Sequence, residues 1–296
     1  MAKIKNRGPM KGLFLGLTTL DICYLVGDYP DSNEKIVALE GSIVAGGPAT
    51  NAAVAFSAMG NDSHLAAVVG KHPLSAPIKE DLTSQGVKLR DLQPHWPEPP
   101  PLSSIIVTRN QGDRAVVSLN ATRCQAHPEN AHWLDLENLQ IILVDGHQLA
   151  VSEAILKETE GIPKVLDGGS WKPGLEKILP FIDYAICSSN FHPPGCQTRE
   201  DTFTYLYNWG IKQIAITGGE KAIQYVDGET RNSITIPTAE VVDTSGAGDI
   251  FHGAFCHYIL QENWVTALKK ASLIAVFSCG FFSTRQWIKE LQKNES

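Results

Sequence analysis

The sequence predicts an α/β fold, a three-layer α/β/α arrangement around a mostly parallel central sheet. Short apolar runs typical of strands alternate along the chain with segments typical of helices. Strands that alternate with helices imply a parallel sheet covered on both faces. At 296 residues and 43% hydrophobic content, the chain can bury one large core, so we expect a single unit over 1–296 with a small appendage.

The elements follow from apolar runs and from the turn residues between them. Pro48 stands where a helix prefers proline, at its first position, and Gly60 follows that helix. Because this helix is apolar nearly all round, we expect it to be buried against the sheet. The predicted strands are 12–17, 65–69, 141–145, 164–166, 184–187 and 213–217, and the predicted helices are 48–59, 77–85, 151–159, 199–209 and 250–260.

Two inserts interrupt this alternation, at about 22–45 and 103–119. Both are rich in β-branched residues, and the second carries a hairpin-like turn at 110–113. From the residues alone, they are predicted to be edge strands of the main sheet.

A glycine-rich turn precedes the last apolar helix, in the segment VVDTSGAGDIFHGAF. Gly246, Ala247 and Gly248 allow close backbone approach, and the first amides of the helix have no intrahelical partner. The helix dipole adds partial positive charge there, which suits a phosphoryl group. Asp249 lies in this first turn, where it is expected to stay ionised and to orient a substrate hydroxyl. The alternative is a plain helix cap.

Two motifs together carry a family resemblance. DTSGAGD at 243–249 resembles the C-terminal signature of the PfkB, or ribokinase-like, carbohydrate kinases, and GGPATNAAVA at 46–55 is similar to their N-terminal signature. The resemblance implies an ATP-dependent kinase that uses Mg²⁺, with Asp249 as base and the 246–249 turn as anion hole. It also implies a ribokinase-like fold whose two inserts form a small β lid over the sugar pocket. Within the family, the chain most resembles the fructose, ketohexose and sulfofructose kinases, with ribose, 2-keto-3-deoxygluconate, nucleoside and sugar-phosphate acceptors left open.

Substrate contacts are predicted around the first strand and the glycine pair. Asp21 follows the first strand at the edge where ligands gather in open α/β sheets, and a carboxylate there can accept sugar hydroxyls. Asn51 is a polar residue in an apolar helix, where a bound hydroxyl would satisfy its amide. A turn role for Asp21 and a local backbone bond for Asn51 are the alternatives. The full predicted set is Asp21, Gly46, Gly47, Asn51, Lys35, Asn120, Asp145 and His147.

The nucleotide contacts follow mainly from the resemblance. A Thr-x-Gly pattern after a strand corresponds to Thr217 and Gly219, where a simple hairpin turn is the alternative. Asn190 keeps the asparagine of the family's Asn-x-x-Glu motif, but Pro193 replaces its glutamate, which puts the protein's own share in holding Mg²⁺ in doubt. Ser272 completes the predicted nucleotide-binding set.

Composition and motifs exclude several other classes. A net charge of -7 without a basic block argues against nucleic-acid binding, and no apolar run approaches the roughly 20 residues of a membrane span. The cysteines show no metal-ligand spacing, so no protein metal site is predicted, and their apolar neighbours indicate reduced core thiols in a cytoplasmic protein. The chain lacks the GxxxxGK[ST] and GxGxxG nucleotide motifs. Exposed lid edges predict a homodimer through the lid. A catalytically idle regulatory relative is the alternative to an enzyme.

Overall fold

A computed structural model describes residues 8–109, 113–119, 125–131, 134–228 and 230–295. The main sheet of this described part has seven parallel strands, and an antiparallel hairpin extends it at one edge. In sheet order its strands are β13 (Thr230–Ile234), β12 (Lys221–Asp227), β11 (Gln213–Gly218), β10 (Tyr184–Ser188), β9 (Lys164–Gly168), β8 (Ile141–Val144), β1 (Lys11–Leu15), β4 (Asp62–Ala67) and β5 (Val87–Asp91).

Helices cover both faces of this sheet, and each face has its own core. The helices are α1 (Pro48–Ala58), α2 (Ser75–Ser84), α3 (Leu149–Glu158), α4 (Arg199–Asn208), α5 (Ala247–Ile259), α6 (Trp264–Ser278) and α7 (Ser283–Glu295). One core includes side chains of α1, α2, α5, α6 and α7, and the other includes those of α3 and α4. The three-layer α/β/α fold is therefore confirmed. The expected burial of α1 is also found, since its residues 49–56 are all buried.

A second sheet is built from the two inserts, in the order β3 (Glu40–Gly46), β2 (Thr19–Val26), β6 (Leu102–Thr108) and β7 (Arg114–Ser118). The expectation that these strands extend the main sheet is wrong, because β2 pairs with β3 and β6 instead of with an edge of that sheet. The lid implied by the resemblance is what forms. Its inner face packs Cys23, Leu25, Ile105 and Val107 against Phe282. The predicted turn at 110–113 lies mostly outside the described residues.

Element boundaries differ from the predictions by a few residues, as is usual at frayed ends. The first strand ends at Leu15 instead of residue 17, and α2 begins at Ser75 instead of residue 77. Among the described residues, no single helix is long and apolar enough to span a membrane. Only α6 together with Ser283–Lys293 of α7, a pair bent by 112°, meets that length and composition.

Candidate functional site

The turn before α5 contains backbone amides that have no hydrogen-bond acceptor in the described part of the chain. Gly246 adopts a left-handed conformation with φ 67°, which glycine accepts without strain. In the described part of the chain, the amides of Gly246, Gly248 and Asp249 have no protein acceptor, whereas that of Ala247 lies 3.3 Å from the Thr244 carbonyl oxygen. The predicted anion hole is therefore available, with Ala247 contributing less than its two glycine neighbours.

Asp249 is partly buried, and its side chain points from this turn towards Asn51 of α1. Its Oδ2 accepts a hydrogen bond of 2.9 Å from Asn51 Nδ2. Burial and the facing carboxylate of Asp167 raise its pKa to about 7, although the Asn51 hydrogen bond and His252 oppose the rise. The expectation that the helix dipole keeps Asp249 fully ionised is wrong, because desolvation and like charge outweigh the dipole. A carboxylate with a pKa near 7 is a better general base at neutral pH than an ordinary aspartate.

Asp21 lies against Gly46, the first residue of the glycine pair. A Cβ on Gly46 would lie 1.9 Å from Asp21 Oδ2, and one on Gly47 would lie 2.4 Å from the Leu17 carbonyl oxygen. Only glycine fits at these two positions. Asp21 Oδ1 accepts from Thr19 Oγ1 at 2.6 Å. Burial raises the pKa of Asp21, against the lowering effects of hydrogen bonds and of Arg285.

Asp145 is engaged entirely by protein donors in the described structure. One oxygen accepts from the amides of Leu17 and Ala49 at 2.9 and 3.1 Å, and the other from the amide and Nδ1 of His147 at 2.8 and 3.1 Å. Burial acts to raise the pKa of Asp145, but His147, Lys172 and the Leu17 amide lower it to about 2. Asp145, just after β8, thus joins the segment between β1 and β2 to the start of α1, and its predicted contact with sugar stays a prediction. His147 serves it as a donor.

Asn51 is likewise already satisfied, and a residue that sequence reasoning missed explains why. Arg285 of α7 is buried, 9% exposed, and its Nη1 donates to Asn51 Oδ1 at 3.1 Å. The Asn51 amide therefore has protein partners without a bound hydroxyl, and its contact with substrate stays a prediction. A signal was present in the sequence: Arg285 lies three residues before the apolar Ile288, and this spacing places both on one face of α7.

Sequence reasoning also missed a pair of residues near Asp249, namely Asp167 and His252. Asp167 lies near the end of strand β9, with its Oδ2 3.3 Å from His252 Nδ1. His252 follows Asp249 by one helical turn of α5. The two ring nitrogens of His252 also lie 2.7 and 3.1 Å from the carbonyl oxygens of Gly248 and Ile186. Burial raises the pKa of Asp167, partly offset by His252. The pair therefore determines the charge that Asp249 faces.

The predicted nucleotide contacts lie at the ends of β10 and β11. Thr217 is half-buried near the end of β11, and Gly219 opens the turn to β12 with φ 65°. The Arg199 side chain lies against this turn, with Nη2 2.7 Å from where a Cβ on Gly218 would be. No ion pair or hydrogen bond of Arg199 is found within the described residues. Asn190 is exposed just after β10.

Two other predicted residues, Ser272 and Lys35, are not brought into this arrangement. Ser272 is buried in α6, and its hydroxyl donates to the Lys269 carbonyl oxygen at 2.7 Å. Lys35 is exposed in the segment between β2 and β3. Asn120 lies outside the described residues.

The fold and the site together define a class of protein. A base and unpaired amides share one helix N-terminus beside an open parallel sheet, as a group-transfer enzyme acting on an anionic group requires. Residues 14–289 match the model of the pfkB family carbohydrate kinases, so the chain belongs to that family. The predicted phosphotransferase with a hydroxyl acceptor is confirmed at this level.

The proteins that this chain is similar to are named for different substrates. A ribokinase of Arabidopsis thaliana is 28% identical over 81% of this chain and 68% of its own length, and a deoxyribokinase of Salmonella typhi is 26% identical over 89% and 90%. Adenosine kinase 2 of Arabidopsis thaliana is 24% identical over 70% and 68%. The Arabidopsis thaliana ribokinase structure with ribose and ATP superposes with a TM-score of 0.70, at 19% identity and covering 97% and 99% of the two chains. This last likeness shows the fold alone, and the branch within the family stays a prediction.

Proposed function

We propose that the chain is an ATP-dependent sugar kinase that transfers the γ-phosphoryl group of ATP to a hydroxyl of a small carbohydrate. Asp249 takes the proton of the acceptor hydroxyl, the new oxygen–phosphorus bond forms, and ADP departs as the bond to the β-phosphate oxygen breaks. The amides of Gly246 and Gly248 stabilise the charge on the transferred group. The observation that carries the proposal is the joint position of a raised-pKa carboxylate and unpaired amides in one turn.

The acceptor site lies between the lid and the carboxyl edge of the main sheet. Asp21 on β2 accepts sugar hydroxyls through Oδ2, which faces the glycine pair, while Thr19 occupies Oδ1. The names of the ribokinase and deoxyribokinase relatives support a small sugar, and the adenosine kinase relatives make a nucleoside the alternative acceptor. A fructose-like ketose is our finer expectation, from the motif resemblance.

The nucleotide lies along the ends of β10 and β11, with Thr217, Gly219 and Asn190 on its phosphates. Arg199 supplies positive charge beside that turn. After β10, the chain has Pro193 where the family's motif has a glutamate. In the described part of the chain, no group of three His, Cys, Asp or Glu residues could hold a metal ion. These residues therefore fit Mg²⁺ that is carried mainly by phosphate oxygens and water, where it would neutralise phosphate charge.

The lid also offers a surface for a second copy of the chain, within one kinase unit over 1–296. Its outer face carries exposed Tyr24, Ile43 and Val117, and β3 and β7 are its edge strands. An apolar face between unpaired edges favours pairing, so we propose a homodimer through the lid. Val117→Lys should shift the mass in sedimentation from dimer to monomer, and Val37→Lys, in the loop before β3, should not. A monomeric wild-type chain would refute the dimer.

The kinase assignment is tested by coupled ADP release over a panel of pentoses, hexoses, ketoses and nucleosides. We expect turnover with at least one acceptor, and its loss in Asp249→Asn. ATP binding without turnover on any acceptor, for the wild type, would refute the kinase and support a binding-only relative. Thermal shifts with each sugar and a nonhydrolysable ATP analogue identify the acceptor independently, because a ligand stabilises the folded state that binds it.

A further inference from the structure

A largely buried ion pair between Arg285 and Asp81 lies at the joint between the lid and the body. Strand β3 ends at Gly46, two residues before α1, so Ala45 is the last lid residue before the glycine pair. Its amide donates to Asp81 Oδ2 of α2 at 3.0 Å, and its carbonyl oxygen accepts from Nη2 of Arg285 in α7. Arg285 Nη2 also lies 3.0 Å from Asp81 Oδ2. The pair thus holds both peptide groups of the hinge residue.

The same guanidinium determines how Asn51 faces the site. A guanidinium only donates hydrogen bonds, so the oxygen of the Asn51 side chain must face Arg285 Nη1, at 3.1 Å. The amide nitrogen of Asn51 is then turned towards Asp249 Oδ2, at 2.9 Å. Without Arg285 the amide could rotate and present its oxygen to the carboxylate, which would replace an attraction by a repulsion.

Charges from several elements face Asp249, and Asn51 is the contact that α1 makes. Asp167 of β9 and Asp145, just after β8, oppose its ionisation, while His252 of its own helix favours it. The hydrogen bond from Asn51 also favours ionisation of Asp249, and it depends on how the Asn51 side chain is oriented. Arg285 provides that orientation, held in turn by Asp81 and by Thr284 Oγ1 at 2.9 Å.

We propose that Arg285 is a positioning residue that holds the lid hinge at Ala45 and, through Asn51, the carboxylate of Asp249. One side chain then couples the position of the lid to the state of the base. The inference rests on the proposed function, because that function makes Asp249 the base.

The test compares Arg285→Gln with Lys289→Gln, which changes an exposed cation one turn further along α7. In Arg285→Gln we expect kcat to fall by at least about tenfold, because small displacements of a catalytic group are costly. KM for ATP should stay within about twofold of the wild type. The acid limb of the pH–rate profile should move to higher pH, and Lys289→Gln should behave as the wild type. An unmoved acid limb would overturn the proposal.

A double-mutant cycle with Asn51→Ala tests whether Arg285 acts through Asn51. Residues that act in series do not add, so the double variant should be about as impaired as Asn51→Ala alone. Independent, multiplying effects on kcat would overturn the proposal that Arg285 acts on Asp249 through Asn51.

Two further measurements separate this inference from folding and from the proposed function. If Arg285→Gln does not fold, Arg285→Lys keeps a cation beside Asp81 but lacks the planar fork that also reaches Asn51, and the acid limb should still move. Carboxyl ¹³C NMR follows the titration of Asp249 without turnover. A titration moved to higher pH in Arg285→Lys supports the positioning role even if no sugar is phosphorylated. An unmoved titration overturns that role even if the wild type is an active kinase.

Discussion

Replacing Asp249 by asparagine should abolish activity and yet stabilise the protein at alkaline pH. The folded-state pKa of Asp249 is raised from 3.8 to about 7 by burial and by Asp167. At about 1.4 kcal/mol per pKa unit, holding this ionised carboxylate in the fold costs on the order of 4 kcal/mol at pH 8. A raised pKa means that this group's stabilisation is complete below pH 3.8 and is lost as pH rises through 7. At pH 5 the cost is only about 2 kcal/mol.

The assay is urea unfolding of wild type and Asp249→Asn at pH 8 and pH 5. We expect the difference in free energy of unfolding, variant minus wild type, to be larger at pH 8 by roughly 2 to 3 kcal/mol. Loss of the base should lower kcat by about 10²-fold to 10⁴-fold. Asp227→Asn, at an exposed strand end, is the matched control. Equal stability differences at the two pH values would refute the argument that Asp249 is strained by burial and like charge.

Three other substitutions test separate parts of the site. Gly46→Ala should raise KM for the sugar by about tenfold or more, because its Cβ would meet Asp21 Oδ2 at 1.9 Å and displace that carboxylate. In the control Gly41→Ala, in the same strand, the new Cβ meets nothing nearer than 3.8 Å, so KM for the sugar should be unchanged. Arg199→Gln should raise KM for ATP several-fold and leave KM for the sugar unaltered, and an unchanged KM for ATP would remove this residue from the nucleotide site. Asp167→Asn removes a like charge from beside the catalytic carboxylate, so the acid limb of the pH–rate profile should move to lower pH; movement the other way would contradict the electrostatic account.

Much of the architecture was predictable because its signals are local. Proline and glycine punctuation marked α1, and the strand–helix alternation predicted the parallel sheet. The lid was misplaced by residue patterns, since a strand's composition does not state which neighbour it pairs with. Only the family resemblance separated the lid from the main sheet.

The site divides in the same way. Gly246, Gly248 and Asp249 are neighbours in sequence, so their shared turn followed from the motif. For Asp145, sequence reasoning missed the protein amides that it accepts from, because they come from segments as much as 128 residues away in the chain. For Ser272, it missed that the hydroxyl donates a hydrogen bond within its own helix.

The amino-acid sequence by itself determined the layered fold, the glycine turn and which residue we propose as the base, since each depends on residues that lie close together in the chain. Tertiary structure decided how basic that carboxylate is and what holds it. Asn51 reaches Asp249 across 198 residues, and Arg285 reaches Asn51 across 234. Desolvation and charge coupling depend on distances in space, and no local pattern encodes those distances.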